Sequence, residues 1–404
     1  MRRVRQLPKI LAILMLVWGF AGPATPAALA VQKGVVRYHS FPVTPVVRQQ
    51  MWFWEGIFGK YDNETVLIHS SRYPHLIVDI VEFKVFSKKY RKGAPYSRKE
   101  KSALVKRYIK RYELGIRRFR AEGRKAARHG AMEKRLLTVF SRGGGEAARD
   151  LMKGDIRLRS QTGLANEFDK AALRVRKYMP HMEEIFRKHK LPVELTRIVF
   201  VESMFNVAAR SKVGASGVWQ FMPKTARRFM TVNRYVDERN SPLKATEGAA
   251  RLLKDNMREL RAWPLAITAY NHGVNGMKRA RRRLGTTHFD KIIRKYKSRS
   301  FGFASRNFYA EFLAARNIYR KKYSHLRLQG KEHLGIVPVD LRKRVSVARL
   351  LKLKGVNSVM LKQHDNGLRP SAFGRYRNWR LPSGFRIYVP TKSAAKIRRE
   401  LRKL

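Results

Sequence analysis

Hydrophobic residues between positions 161 and 325 recur mainly at helical spacing. Apolar side chains form one stripe along 242–260, and this segment opens with Ser241-Pro242, a common helix start. The run WPLAITAYNHG, 263–273, predicts a short buried helix that ends at its glycine. The pattern therefore predicts an almost entirely helical domain over 161–325.

The preceding region, 31–160, has a mixed pattern. Aromatic and β-branched runs with turn residues predict short strands or irregular packing over 31–85. The basic segment 87–129 predicts a helix, since four apolar residues recur at helical spacing: Leu104, Tyr108, Tyr112 and Ile116. Three glycines, 143–145, predict a break. We expect an α-rich domain with some β-structure, whose role the sequence does not reveal.

The C-terminal region changes character again. Residues 335–392 follow the order strand, helix, helix, strand, which predicts a small βααβ module. A basic tail is expected over 393–404. The predicted fold class of the whole chain is mainly α.

The charge is extreme for a folded protein of 404 residues. There are 89 Lys and Arg against 29 Asp and Glu, which gives a formal net charge of +60. Such a field favours anionic polymers or an acidic membrane surface as partners, although no specific nucleic-acid motif is present. If 87–129 is a helix, its basic residues could bind an anionic polymer, or they could simply form its solvent-exposed face.

Residues 1–30 have the pattern of a secretory signal peptide. A cationic head precedes an apolar run, and a small-residue cleavage site ends at Ala30. An uncleaved N-terminal anchor is the alternative. With no cysteine, lipid modification after the signal and disulfides are both excluded. We expect an exported protein of the periplasm or cell wall that is not lipid-anchored.

One carboxylate stands out because it directly follows a run of apolar residues. Glu202 lies in IVFVESMFN, and burial among such neighbours would raise its pKa and suit it to donate a proton. The alternative is a structural ion pair with Arg197 or Arg210. Metal-binding, phosphate-loop and nucleophile-elbow motifs are absent, so no cofactor or metal is expected.

No other acidic residue occurs between Glu202 and Asp237. Most glycosidases use two carboxylates. A site with a single acid needs another nucleophile, and a sugar hydroxyl of the substrate can supply it. In peptidoglycan, the 6-hydroxyl of N-acetylmuramic acid can attack its own anomeric carbon.

Two motifs resemble a known family. ESMFNVAARSKVGASGVWQFMPKTA, 202–226, and WPLAITAYNHG, 263–273, resemble the signature of lytic transglycosylases with a goose-lysozyme-like fold. The segments 178–195 and 235–253 are similar to the branch called membrane-bound lytic murein transglycosylase D. The resemblance implies a lysozyme-like helical domain that cleaves peptidoglycan glycan strands without water and leaves 1,6-anhydro ends.

The resemblance also implies roles for individual residues. Glu202 would be the sole acid and base. Eight positions would contact the sugars or orient the acid: Ser211, Gly214, Ala215, Gly217, Gln220, Met222, Tyr270 and Asn271. In this interpretation the small residues let the backbone approach the sugar. The alternative is that the glycines are plain turns and that Met222, with Trp219 and Phe221, belongs to the core.

The chain departs from the family pattern in two places. In FASRNFYAEFLAA, 303–315, Ala304 and Phe308 stand where the family often has Glu and Tyr, so a sugar contact is expected to move, for example to Tyr309. Residues 335–392 resemble a LysM-type glycan-binding module but lack its usual Gly-Asp-Thr-Leu opening.

Two other functions stay open at this stage. A hydrolytic muramidase would need a second carboxylate near Glu202, for which Asp237, Glu247 and Asp255 are the local candidates. A non-catalytic binder of wall glycan or another polyanion would need only the charge.

Overall fold

The structure is a computed structural model, and it describes residues 41–326, 334–363 and 367–403. The predicted signal peptide, 1–30, lies outside the described residues. Within the described ranges, none of the helices is both long enough and apolar enough to cross a bilayer.

Helices and short strands alternate irregularly along the chain. The helices are α1 Pro45–Gly59, α2 Phe83–Arg91, α3 Arg98–Glu122, α4 Ala131–Arg142, α5 Gly145–Met152, α6 Ala165–Val175, α7 Met179–Lys188, α8 Ile198–Ser203, α9 Pro223–Ala226, α10 Pro242–Leu260, α11 Trp263–His272, α12 Val274–Leu284, α13 Phe289–Lys295, α14 Phe303–Tyr323, α15 Val347–Leu350, α16 Ser358–Gln363 and α17 Thr391–Arg402. The strands are β1 Thr65–Ser70, β2 Ile77–Glu82, β3 Leu158–Thr162, β4 Ile336–Asp340, β5 Val345–Ser346, β6 Arg380–Leu381 and β7 Arg386–Pro390. The expected mainly helical class is confirmed.

Helix α1 corrects the prediction of strands or irregular packing over 31–85. Its buried residues Val47, Met51, Trp54 and Phe58 recur every three or four positions, and the helix packs along α14. Aromatic and β-branched residues favour strands, but the spacing of the buried positions matches a helix. Strand prediction holds only for the later part of the segment, where β1 and β2 lie.

The N-terminal region is built on a three-stranded antiparallel sheet in the order β2-β1-β3. Helices α3, α4 and α5 pack around it, and their apolar residues share a core with Val66, Ile68 and Val81 of the strands. The predicted break separates α4 from α5, because Gly143 and Gly144 lie between them.

The central helices follow the predicted starts and stops. The Ser241 side chain accepts a hydrogen bond from the Lys244 backbone N–H, which caps α10. Helix α11 ends where Gly273 takes a positive φ of 86°. Helix α14 lies at the centre of this region, since it contacts α1, α8 and α11.

The C-terminal region has more elements than the predicted βααβ order. Strand β4 pairs antiparallel with β7, β5 pairs antiparallel with β6, and α15 and α16 lie between them in sequence. The segment expected to be a basic tail carries α17, whose Ala394 and Ile397 are buried in the core of this region. The amphipathic spacing of these residues explains the helix. Whether this region is a LysM-type module stays a prediction.

Asp237 connects the C-terminal region to the central helices. Its side chain is 0% exposed and accepts hydrogen bonds from Arg239 at 2.8 and 2.9 Å and from Arg369 at 2.8 Å. Its backbone N–H also donates to the Gly367 carbonyl at 2.7 Å, and neighbouring Val236 belongs to the C-terminal core. The two regions therefore share both an ionic cluster and a hydrophobic core.

We expect Asp237→Asn to lower the free energy of unfolding by about 3 kcal/mol, because it removes the charge that two guanidinium groups share in a buried place. Urea denaturation measures the change. The matched control is Asp255→Asn, whose carboxylate pairs with Arg258 at the surface and whose loss is expected to cost about 0.5 kcal/mol. Equal effects of the two variants would contradict the role given to Asp237.

Candidate active site

Glu202 lies in the last turn of the short helix α8. The helix ends immediately after it, because Met204 and Phe205 both take left-handed backbone conformations, with φ of 49° and 50°. Non-glycine residues rarely adopt this conformation, and such strain is concentrated at functional sites. Arg174 supports the turn by donating a hydrogen bond to the Met204 carbonyl at 2.7 Å. The carboxylate is thus presented where the chain reverses direction.

The surroundings of Glu202 favour its protonated form. The side chain is half-buried, and desolvation raises its pKa to about 8. In the described part of the chain no basic side chain forms an ion pair with it. Arg197, one of the two arginines considered as structural partners, instead pairs with Glu183 at 2.7 Å, and Arg210 is exposed. In the structure, Glu202 therefore does not form the ion pair with Arg197 or Arg210 that was the alternative to a proton-donating role.

Tyr270 of α11 lies beside Glu202. Burial raises the pKa of Tyr270, and the charge of Glu202 raises it further. The tyrosine hydroxyl donates a hydrogen bond to the Trp219 carbonyl at 2.8 Å, and its ring is stacked parallel to Phe308, with centroids 6.2 Å apart. Tyr270 therefore joins α11, α14 and the loop that follows α8.

Asn271, next to Tyr270, is exposed and held in a fixed orientation. Ser305 of α14 donates a hydrogen bond to the Asn271 side-chain oxygen at 2.7 Å. The amide N–H groups are then the part that Asn271 can offer to a ligand. The expectation that Tyr309 takes over a sugar contact is wrong, because Tyr309 is fully buried and its hydroxyl donates to the Pro42 carbonyl at 3.0 Å.

Ser211 and Gln220 stabilise the loop between α8 and α9. The Ser211 hydroxyl accepts a hydrogen bond from the Ala215 N–H at 2.9 Å, and the Ser211 N–H donates to the Ala215 carbonyl at 2.9 Å. Gln220 donates from its side chain to the Gly217 carbonyl at 2.8 Å. Among the described residues no hydrogen bond joins Ser211 to Glu202, so the expected orienting role of Ser211 stays a prediction.

The two glycines of this loop have different physical requirements. Gly214 has a φ of 93° and is exposed, and an added Cβ would meet only the Pro223 ring, at 4.0 Å, which is an ordinary van der Waals contact. Gly217 has a φ of 76° and is buried, and an added Cβ would lie 1.7 Å from the Arg239 carbonyl oxygen. Gly217 thus permits approach by the protein's own backbone, whereas only Gly214 is open to a ligand.

Arg239 connects this loop to the cluster around Asp237. Its guanidinium donates hydrogen bonds to the Gly214 carbonyl at 2.8 Å and to the Phe221 carbonyl at 3.0 Å. Asp237, considered as a second catalytic carboxylate, is therefore occupied in holding the loop.

The loop also presents apolar side chains to solvent. Met222 is 41% exposed and Val213 is 75% exposed, whereas Trp219 and Phe221 are buried in the core. Of the three residues considered as core, Met222 is the one on the surface. The loop therefore exposes two apolar side chains, which an apolar group of a ligand can contact.

Glu311 is the site residue that the sequence analysis missed. It lies on α14 close enough to Glu202 that, after burial, the charge of Glu202 is the next cause raising its pKa, to about 8. Two carboxyl groups so placed titrate as a coupled pair. The other candidates are engaged elsewhere, Glu247 with His189 and Asp255 with Arg258. A signal was available, since position 311 is two helical turns after Ala304 and on the same helix face.

Comparisons with known proteins agree with this geometry. Residues 182–293 match the family model of the transglycosylase SLT domain, a range that contains Glu202, the loop, Tyr270 and Asn271. This part of the chain is therefore similar to the transglycosylase SLT domain. Glu311 lies beyond the matched range.

Two curated relatives are similar over 238 residues. Membrane-bound lytic murein transglycosylase D from Escherichia coli strain K12 and its counterpart from strain O6:H1 are each 25% identical, over 57% of this chain and 50% of the relative. The chain thus matches about half the length of these relatives. A solved structure of an inactive variant of lytic transglycosylase Slt from Pseudomonas aeruginosa is 19% identical, covers 55% of this chain and 39% of that chain, and gives a TM-score of 0.32, too low to carry an argument.

We expect Gly217→Ala in the SLT domain to lower the free energy of unfolding by about 3 kcal/mol, because the new methyl group overlaps the Arg239 backbone and the positive φ becomes strained. The control is Gly214→Ala, which has the strain without the overlap and is expected to cost about 1 kcal/mol. Urea denaturation compares the two. A smaller loss for Gly217→Ala than for Gly214→Ala would contradict the assignment.

We expect Glu202→Gln to stabilise the protein increasingly as the pH rises. The folded-state pKa near 8 exceeds the ordinary value of 4.5, so between these pH values the unfolded state releases a proton that the folded state retains. Wild-type stability falls across this window, whereas glutamine has no proton to release. The difference in melting temperature should grow from pH 4.5 to pH 8 and then level off. A difference that stays constant across this pH range would disprove the raised pKa of Glu202.

Proposed function

We propose that the protein is a peptidoglycan lytic transglycosylase that cleaves the β-1,4 bond between N-acetylmuramic acid and N-acetylglucosamine and leaves 1,6-anhydro ends. The observation that carries the proposal is the carboxyl of Glu202, half-buried in the SLT domain without an ion-pair partner in the described residues and with its pKa raised to about 8. The names of the curated relatives support the same substrate class.

The proposed reaction needs one proton that leaves Glu202 and returns to it. The protonated carboxyl gives its proton to the glycosidic oxygen as the bond from that oxygen to the anomeric carbon breaks. The 6-hydroxyl of the same N-acetylmuramic acid then attacks the anomeric carbon, and the carboxylate takes the proton of that hydroxyl. One bond breaks and one forms, and water is not consumed.

Glu311 makes a hydrolytic muramidase the second candidate, because a second carboxyl lies near the acid. Hydrolysis would need Glu311 ionised, either as a base for water or as a nucleophile. Burial and the charge of Glu202 both oppose that ionisation, since they raise the pKa of Glu311 to about 8. At neutral pH the pair therefore favours proton donation over the activation of water.

The remaining site residues suit a glycan. Asn271 offers amide donors, and the exposed side chains of Met222 and Val213, on the loop that follows Glu202, offer apolar contact. In this proposal Gly214 lets the backbone approach the sugar. Met222 lines the cleft, as the family resemblance implies.

The net charge of +60 fits the same substrate. Peptidoglycan carries carboxylates on its peptides, so a basic protein would associate with it electrostatically, and that association would weaken as salt is added. The signal-like pattern of residues 1–30 supports a location in the cell envelope, where this substrate lies. The C-terminal region, if it is a LysM-type module, would add a further glycan contact.

We expect the wild-type protein to release products with 1,6-anhydro ends from purified sacculi, as measured by mass spectrometry. Glu202→Gln should lower the rate by about 10²- to 10⁴-fold, the usual contribution of a general acid, while binding to sacculi is retained. Glu184→Gln serves as the control with the same chemical change at an exposed position.

Each other result of this experiment has a definite meaning. Reducing ends in place of anhydro ends would identify the hydrolytic candidate. Binding without cleavage by the wild-type protein would leave only a non-catalytic binder.

A further inference from the structure

A cavity that Glu202 does not line lies where the N-terminal region meets the central helices. Its volume is about 230 Å³. The N-terminal region contributes the turn between β1 and β2 and the glycines between α4 and α5, and the other walls come from α1, α13 and α14. It is large enough for a small polar group.

Three arginines line this cavity: Arg72, Arg294 and Arg306. Arg72 pairs with Glu146 at 2.6 Å and with Asp150 at 2.8 Å, and Arg294 approaches the other oxygen of Glu146 only to 3.7 Å. Two carboxylates therefore balance the charges of Arg72 and Arg294. The excess positive charge of the cavity comes from the third arginine, Arg306.

Arg306 has no acidic partner among the described residues. Its guanidinium donates long hydrogen bonds, both of 3.3 Å, to the carbonyls of Phe301 and Tyr296. Burial lowers the pKa of Arg306, and the like charge of Arg72 lowers it further. These two guanidinium groups thus repel each other, and an anion between them would relieve the repulsion.

Gln50 adds to the cavity a buried hydrogen-bond acceptor that lacks a donor. Its side chain lines the cavity and is only 3% exposed, yet its side-chain oxygen lacks a hydrogen-bond partner among the described residues. Buried polar groups are nearly always paired, so an orphaned acceptor indicates a missing donor. A ligand that carries both an anionic group and an N–H donor would satisfy Arg306 and Gln50 together. Peptides with free carboxylates have this combination.

Helix α14 connects the cavity to the proposed active site. Arg306 follows Ser305, whose hydroxyl holds Asn271, and the same helix carries Glu311 beside Glu202. The cavity wall and the residue that holds Asn271 are thus adjacent positions of one helix.

We propose that this cavity binds a carboxylate of the peptide attached to the glycan strand, with the guanidinium groups holding the carboxylate and Gln50 accepting a peptide N–H. This inference rests on the proposed function. It gives the N-terminal region a role in recognising the peptide part of the substrate.

The test compares Arg294→Glu with wild-type protein on two substrates: sacculi glycan strands that carry peptides, and the same strands after an amidase has removed them. A reversed charge should lower kcat/KM on peptide-bearing strands about tenfold, as expected for loss of a charged hydrogen bond, and leave peptide-free strands unaffected. Arg111→Glu, an exposed position on α3 with the same charge change, should leave the ratio of the two rates unchanged.

Competition distinguishes a peptide site from a general anion site. The peptide released by the amidase should inhibit the wild-type protein on peptide-bearing strands more strongly than inorganic phosphate at equal ionic strength. Equal inhibition by phosphate, equal losses on both substrates, or no loss from Arg294→Glu would overturn the inference. Absence of cleavage of either substrate by wild-type protein would instead refute the proposed function.

Discussion

The proposed chemistry depends on keeping a carboxyl half-buried and free of cations in a chain with 89 basic residues. A guanidinium near Glu202 would lower its pKa and remove the proton that the reaction needs. Arg197, which lies five residues before Glu202 in sequence, pairs instead with Glu183. The only cause that shifts the pKa of Glu202 is desolvation, which favours the protonated form.

The ionic cluster around Asp237 makes the loop between α8 and α9 dependent on distant parts of the chain. Arg239 holds two carbonyls of the loop, Asp237 holds Arg239, and Arg369 of the C-terminal region completes the cluster. Removing the C-terminal region would leave Asp237 with one partner and expose Val236. The C-terminal region therefore supports the site structurally, whether or not it binds glycan itself.

Helix α14 also holds residues of the candidate site in place. It packs on α1, holds Asn271 through Ser305, packs Phe308 on Tyr270 and places Glu311 near Glu202. Because α1 packs along it and both His69 of β1 and Arg159 of β3 contact its Phe303, α14 also connects the N-terminal region to the candidate site. One rigid helix thus sets the geometry of both the acid and the proposed peptide site.

The sequence by itself determined the central helices and their caps at Ser241 and Gly273. It also identified Glu202 as the candidate acid. Periodicity, capping and an acid within an apolar run are all local properties of the sequence. Tertiary structure alone decided that α1 lies along α14, that Gly217 faces the Arg239 backbone, and that the helix face shared by Ala304 and Glu311 meets Glu202. These depend on contacts between residues far apart in the chain, and local spacing contains no information about which distant surfaces meet.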